Sequence, residues 1–256
     1  SHNIVCHSCG KAPWSTRRIP VASLIAEQNP DVVGVQEAQQ SRPKGFNVSQ
    51  FDDLVRALAQ TGADYRVTDR AIGASKGTRI LYKPSTMTLL KTGAIRYSRQ
   101  SGGATSRYAA WAILRQRSTG REMVFFSTHL EPKSYSVRLA QSRQLAASIA
   151  GIAGKRPVVA VGDFNASQFH YYAVHQAMTG AGLVDPLGVQ QRSKVPAKGA
   201  TAEKRINTNF DSYNDYRRRA SRGTSNPQGN GVYIDYIFTS PMRVVDELNS
   251  GPPRQS

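Results

Sequence analysis

Short apolar runs that stop abruptly at polar residues organise this chain. "VVAVGDFNAS" (158–167) carries four apolar residues into Gly162, Asp163, Phe164 and Asn165. An unbroken β-branched run of that kind fits a strand buried on both faces, and a carboxylate at its tip is costly to bury without a partner or a metal. Similar runs recur in "DVVGVQEA" (31–38), "TRILYK" (78–83), "YAAWAIL" (108–114), "MVFFSTHL" (123–130) and "GVYIDYIFTS" (231–240). Turn signals separate them, including "SGG" at 101–103 and "STG" at 118–120. Helical spacing appears in "STRRIPVASLIAEQNP", whose Ile19, Leu24 and Ile25 are expected to face a sheet and whose end is marked by Pro30. It appears again in "SVRLAQSRQLAASIAGIA" (136–153), through Leu139, Leu145 and Ile149, and a third helix is expected over 168–180. Strands mixed with helices predict an α/β layered fold in which sheets pack on each other with helices outside. No internal repeat is visible, and the 256 residues read as one domain.

Charge adds a partner to this picture. The chain has 34 Lys and Arg against 17 Asp and Glu, a formal net charge of +17. Such a balance suggests a polyanion, with nucleic acid favoured over an anionic membrane because no amphipathic basic helix stands out. Residues 192–222 hold nine basic residues against three acidic ones, yet residues 1–128 already hold 18 against 8. The excess is therefore spread over the body with a local peak, which suits a broad face tracking a phosphate backbone better than a detachable tail. The peak lies in a long polar segment, 188–231, which also contains Phe210, Tyr213 and Tyr216. Aromatics interleaved with cations are what a groove for nucleic-acid strands uses, so this segment is expected to be a functional loop. No stretch reaches the roughly 18 uninterrupted apolar residues of a membrane span, and stable membrane insertion is not expected.

The two cysteines, Cys6 and Cys9 in "VCHSCG", form a lone C-x-x-C beside His2 and His7. No second pair completes a four-ligand zinc site. A short-range disulfide in a secreted protein and two free thiols in a cytosolic one both remain open. The sequence opens at Ser1 almost inside a strand, and a processed or trimmed N-terminus is expected to hide any signal peptide that would decide the address. Secretion is favoured over a cytoplasmic location, and a monomer is expected.

Several runs end in residues that carry chemistry: Glu37, His129, Asp163 with Asn165, Asp235, and Asn3 in "SHNIV". Each alone has an ordinary structural explanation. As a set, carboxylates, amides and a histidine are what a Mg²⁺-assisted attack on phosphate needs, because Mg²⁺ takes few protein oxygens and keeps several waters.

The motifs "NI" (3–4), "VQEA" (35–38), "STHL" (127–130), "GDFNA" (162–166) and "IDYIFTS" (234–240) follow one another in an order and spacing that resembles the endonuclease/exonuclease/phosphatase superfamily, which includes deoxyribonuclease I. The resemblance covers nearly the whole chain. It implies a four-layered sandwich of two packed mixed β-sheets flanked by helices. It also implies that Glu37 binds Mg²⁺, with Mn²⁺ or Ca²⁺ as alternatives, and that Asn3 lies close to the metal or the phosphate. Asp163 would orient or deprotonate the attacking water, Asn165 would hold phosphate and water, and His129 would stabilise phosphoryl oxygens. Asp235 would pair with a histidine from a closing "SDH" motif. The sequence stops at "GPPRQS", with Ser256 where that motif would begin, and a trimmed C-terminal strand is expected rather than a dead, nucleic-acid-binding relative. The shared site does not choose its phosphoester, because that choice lies in loops. The net charge, with Arg79, Arg107 and the cluster Arg217, Arg218 and Arg219 as phosphate contacts, favours a DNA-hydrolysing nuclease over a sphingomyelinase-like or inositol-phosphate enzyme.

Overall fold

Two β-sheets lie face to face, each covered on its outer side by helices. The computed structural model describes all residues except 11, 71–76, 103–105, 168–169, 187–203, 207–209, 214–230, 242–245 and 249–256. The described strands are β1 (His2–Asn3), β2 (Val32–Gln36), β3 (Arg66–Val67), β4 (Arg79–Tyr82), β5 (Met87–Arg96), β6 (Tyr108–Gln116), β7 (Glu122–His129), β8 (Val158–Asp163), β9 (Lys204–Ile206), β10 (Asp235–Thr239) and β11 (Asp246–Leu248). The helices are α1 (Trp14–Gln28), α2 (Gln50–Gln60), α3 (Tyr135–Ala153) and α4 (Tyr172–Thr179). One sheet has the order β1-β2-β4-β3 and the other β10-β8-β7-β6-β5, and β9 and β11 pair separately. Both large sheets are mixed: β1 runs parallel to β2 and β7 parallel to β8, while their other neighbours are antiparallel.

Alternation along the strands sorts side chains into three apolar layers. Val33, Val35 and Leu81 point outward onto Trp14, Ala22, Ile25, Phe51, Leu54 and Leu58 of α1 and α2. Ile80, Ala112, Leu114, Phe125 and Val161 fill the space between the sheets. Val124, Phe126, Ala160 and Phe238 point outward on the second sheet, against Leu145, Ile149, Val174 and Met178 of α3 and α4. The strands read as continuous apolar runs because both of their faces are covered.

Gly34 brings the sheets together: a Cβ there would lie 2.3 Å from Cγ2 of Val161. Gly162 does the same within its sheet, where a Cβ would lie 2.2 Å from the carbonyl oxygen of Thr128.

Three local differences from the sequence pattern have physical causes. Helix α1 does cover the expected stretch, but its buried residues are Trp14, Ala22 and Ile25, and Ile19 is exposed. The chain leaves this helix at Asn29, whose left-handed φ of 50° closes it one residue before Pro30. Helix α2 and strand β5 do not stand out in the reading of apolar runs. For α2 the start signal is Ser49, whose hydroxyl accepts the backbone N–H of Asp52 at 3.2 Å, a side-chain cap on the first turn. Strand β5 is half exposed, so its sequence "MTLLKTGAIR" lacks a clean apolar run.

Candidate active site

Asp163 ends β8 in the middle of a row. Its register partner on β7 is His129 and its partner on β10 is Asp235, so three polar strand ends stand side by side. The first sheet delivers two more: Asn3 ends β1, and Glu37 follows β2 directly. The Asn3 amide nitrogen donates to Glu37 Oε1 at 3.0 Å and to Asp163 Oδ2 at 3.1 Å, tying the two sheets at this point. His129 Nε2 lies 3.7 Å from Asp163 Oδ2, near but beyond hydrogen-bond range. The structure thus brings together Asn3, Glu37, His129, Asp163 and Asp235.

The backbone is bent to hold these groups. Val5, Glu37 and Asn165 have φ values of 57°, 60° and 49°, all left-handed. For a β-branched residue such as Val5 this is a strained conformation, and strain of this kind gathers at functional sites. Arg17 and Gln50 hold the loop in place by donating to the Val5 carbonyl, with Gln50 Nε2 at 2.8 Å. The loop in turn presents the Cys6 N–H to Glu37 Oε2 at 2.8 Å. Cys6 and Cys9 are joined as a disulfide, which resolves the alternative left open by the sequence.

Asn165 lies just beyond the strand. Strand β8 ends at Asp163, and the turn through Asn165 lets Asp163 Oδ1 accept the Asn165 backbone N–H at 2.8 Å. The Asn165 side-chain nitrogen donates to the Leu130 carbonyl at 3.0 Å, and Phe164 is in the core, edge-on to Tyr236 and Phe238. Asn3 differs in detail. Its Oδ1 accepts the Val5 N–H at 3.0 Å, which leaves only its nitrogen facing the carboxylates. In this arrangement Asn3 is a bridge between acids, and the oxygens that could meet a cation belong to Glu37 and Asp163, each of which accepts one hydrogen bond and has a second lone pair.

Among the cationic residues picked from sequence, Arg107 belongs to the site and Arg79 does not. Arg107 is largely buried and feels the charges of Glu131, Glu37 and Asp163, while desolvation holds its guanidinium below its usual range. Its Nε has no hydrogen-bond partner among the described residues. Arg79 is 2 % exposed and lies over the Phe51 ring at 4.6 Å, on the helix-covered face of the first sheet. That buried face gives a phosphate no access to it. Arg217, Arg218 and Arg219 lie outside the described residues.

Two groups at the site were not singled out from sequence. Glu131 is buried just past His129, and Arg138 donates to its carbonyl at 2.7 Å. Arg138 also stacks over Tyr171 at 4.7 Å and feels the charge of Asp163. Its signal was available: Arg138 occupies the same helical stripe as Gln141, Ser142, Leu145 and Ile149, where a charge needs a reason.

Burial sets the protonation of the row. Desolvation, reinforced by Arg107, holds His129 well below the usual imidazole range, so the ring is neutral at neutral pH. Desolvation raises Asp163, against the hydrogen bonds from Asn165 and Asn3 that favour its ionised form. Asp235 is raised by burial and then by Asp163, although Ser212 hydrogen-bonds its carboxylate. Ionised neighbours of like sign are costly unless a cation joins them. A hard-oxygen pair such as Glu37 and Asp163, part-buried and bridged by one amide, suits a small divalent ion.

The model of the Endonuclease/Exonuclease/phosphatase family matches residues 3–254. The chain belongs to this family. Its members are phosphoester hydrolases that depend on divalent metals. Solved structures of the family share its fold. An endonuclease/exonuclease/phosphatase family protein from Bacteroides thetaiotaomicron is 20% identical, over 94% of this chain and 81% of that chain, with a TM-score of 0.67. Mannosyl-6-phosphatase from the same organism is 20% identical over 94% and 84%, with a TM-score of 0.65. TDP2 of D. rerio, complexed with single strand DNA product, is 18% identical over 93% and 81%, with a TM-score of 0.59. No curated protein matches the chain by sequence.

Proposed function

We propose that this family member is a Mg²⁺-dependent nuclease that hydrolyses phosphodiester bonds of DNA. Glu37 and Asp163 would hold the ion, which when bound supplies Lewis-acid polarisation of a phosphoryl oxygen and neutralises developing charge. Asp163, once ionised, orients the attacking water and takes its proton. His129, kept neutral by burial, donates an N–H to a non-bridging phosphoryl oxygen, and Arg107 stabilises the negative charge that accumulates there. Asn3 keeps the two acids apart at a fixed distance, and Asn165 holds the turn that aims Asp163.

The observation that carries the choice of nucleic acid is charge. A net +17, spread along the chain, exceeds what a small phosphate monoester needs and matches a long polyanion. The TDP2 complex with single strand DNA product supports DNA as a ligand for this fold, whereas the mannosyl-6-phosphatase supports a sugar phosphate. A lipid substrate finds less support. Trp14 is buried, and no described helix is long and apolar enough to cross a membrane. The Cys6–Cys9 disulfide supports a secreted protein.

The test is Mg²⁺-dependent release of acid-soluble fragments from duplex and single-stranded DNA, beside a sugar 6-phosphate and sphingomyelin. DNA fragments that vanish with chelator and with Asp163→Asn are expected. Turnover of the sugar phosphate alone would replace the nuclease with a phosphatase.

A further inference from the structure

The disulfide loop sits on the acid proposed to hold the catalytic ion. Cys6 gives its backbone N–H to Glu37 Oε2 at 2.8 Å, and the two sulfurs and a Glu37 carboxylate oxygen all lie within 4.8 Å of one another. Cys6 is buried while Cys9 is exposed, so a thiol reagent reaches the bond from the Cys9 side. Arg17 and Gln50 hold the loop through the backbone of Ile4, Val5, Cys6 and His7, independently of the sulfur bridge. Breaking the bridge therefore leaves both thiols close to Glu37.

We infer that reduction turns this loop into a zinc site made of Cys6, Cys9 and Glu37, which captures Glu37 and so competes with the hard divalent ion at the active site. A dithiol reductant supplies the two electrons. Its thiolate attacks Cys9 Sγ, the Cys6–Cys9 bond breaks, its second thiol resolves the mixed disulfide, and the reductant leaves as a cyclic disulfide while two cysteine thiols are formed. Zinc binding then releases two thiol protons to solvent. Tetrahedral zinc with Zn–S at about 2.3 Å and Zn–O at about 2.0–2.2 Å sets these ligands roughly 3.5–3.8 Å apart. Once the bond is broken the sulfurs move apart to that spacing, and side-chain rotation within the clamped loop brings them onto the Glu37 oxygen, which already lies within 4.8 Å of both. Three protein ligands leave a fourth position for water, and soft thiolates favour zinc over Mg²⁺. The oxidised form offers no thiolate, so it keeps Glu37 for the harder ion.

The zinc site itself does not depend on the substrate, but its competition with catalysis rests on the assignment of Glu37 to the catalytic ion. The 256-residue chain is reduced with dithiothreitol, desalted under argon and titrated with Zn²⁺ against a chromophoric chelator, beside the oxidised chain. Reduced protein is expected to bind one equivalent at least about 100-fold more tightly than oxidised protein. Co²⁺ in place of Zn²⁺ should give thiolate-to-metal charge-transfer absorption, and Glu37→Gln should weaken the zinc affinity about 10-fold or more. Equal affinity in the two redox states, absence of that absorption, or an unchanged affinity in Glu37→Gln overturns the inference. Because redox state is varied on the unmutated chain, misfolding of a cysteine variant does not obscure the result; Cys9→Ser, at the exposed position, is the confirming variant and should lose the charge-transfer band. Zinc capture without any DNA hydrolysis would leave this site standing and reject the nuclease.

Discussion

His129 and Asp163 are register partners on parallel neighbouring strands, with Nε2 and Oδ2 3.7 Å apart. The separation is too long for a hydrogen bond, so the imidazole is not committed to Asp163 as a fixed ion pair. In the proposed mechanism its N–H serves a phosphoryl oxygen. Replacing His129 with Ala should lower kcat by about 10²–10³, the loss typical of one transition-state donor, with a smaller effect on KM. Circular dichroism checks that the fold persists. A change in KM alone would give His129 a binding role.

Asn3 acts through Glu37 and Asp163, and metal binding reports how. Removing the amide in Asn3→Ala leaves two acids without their shared donor, which should destabilise the metal-free chain by about 1–3 kcal/mol in a part-exposed site. If Asn3 is a bridge, a divalent ion relieves the repulsion, and the Mg²⁺-induced rise in Tm should be larger in the variant than in the parent. A smaller rise would show that the Asn3 oxygen turns to the ion. Thermal melts with EDTA and with Mg²⁺ separate the two.

Most of the site was legible because strand tips advertise it. Glu37, His129 and Asp163 each end or follow a buried apolar run, Asp235 opens one, and parallel and antiparallel pairing put three of them in one row. The layered fold was legible for the same reason, since runs buried on both faces require covers on both. What the sequence hid was direction. Arg79 and Arg107 both look like strand-end cations, yet alternation turns Arg79 to Phe51 and leaves Arg107 with the acids. Asn165 is two residues from Asp163, but its left-handed φ takes it out of strand alternation, a backbone turn that residue types alone do not announce. The Cys6 N–H on Glu37 is a backbone contact, which no pattern of side chains reveals.

Gly34 and Val161 measure how closely the sheets are pressed. A methyl group at Gly34 would meet Val161 Cγ2 at 2.3 Å and Ser127 Oγ at 3.0 Å, so Gly34→Ala should destabilise the chain by about 1–3 kcal/mol, as overpacking does. Val161→Ala creates room at the same place. The double variant should therefore be more stable than the sum of the single losses, a coupling that denaturant midpoints detect. Additive losses would place the strain elsewhere.

Asp235 makes stability depend on pH in a direction that can be worked out. Burial, followed by the charge of Asp163, raises its proton affinity in the folded chain above that of an unfolded aspartate, near about 3.9. Below that pH both states are protonated and the folded state carries no penalty. As pH rises the unfolded chain loses this proton first, so it binds fewer protons than the folded chain, and stability falls until the folded group also ionises. Asp235→Asn removes the proton from both states. Its stability relative to the parent should therefore climb from about pH 4 upward, by at most about 1.4 kcal/mol per pH unit, and level off once the folded carboxyl has titrated. Taking the difference between the two proteins cancels the opposite contribution of His129, whose depressed proton affinity costs stability as pH falls. Urea unfolding in EDTA from pH 4 to pH 9 tests the curve. A flat difference would mean that the Ser212 hydrogen bond outweighs burial and Asp163, leaving Asp235 ionised throughout.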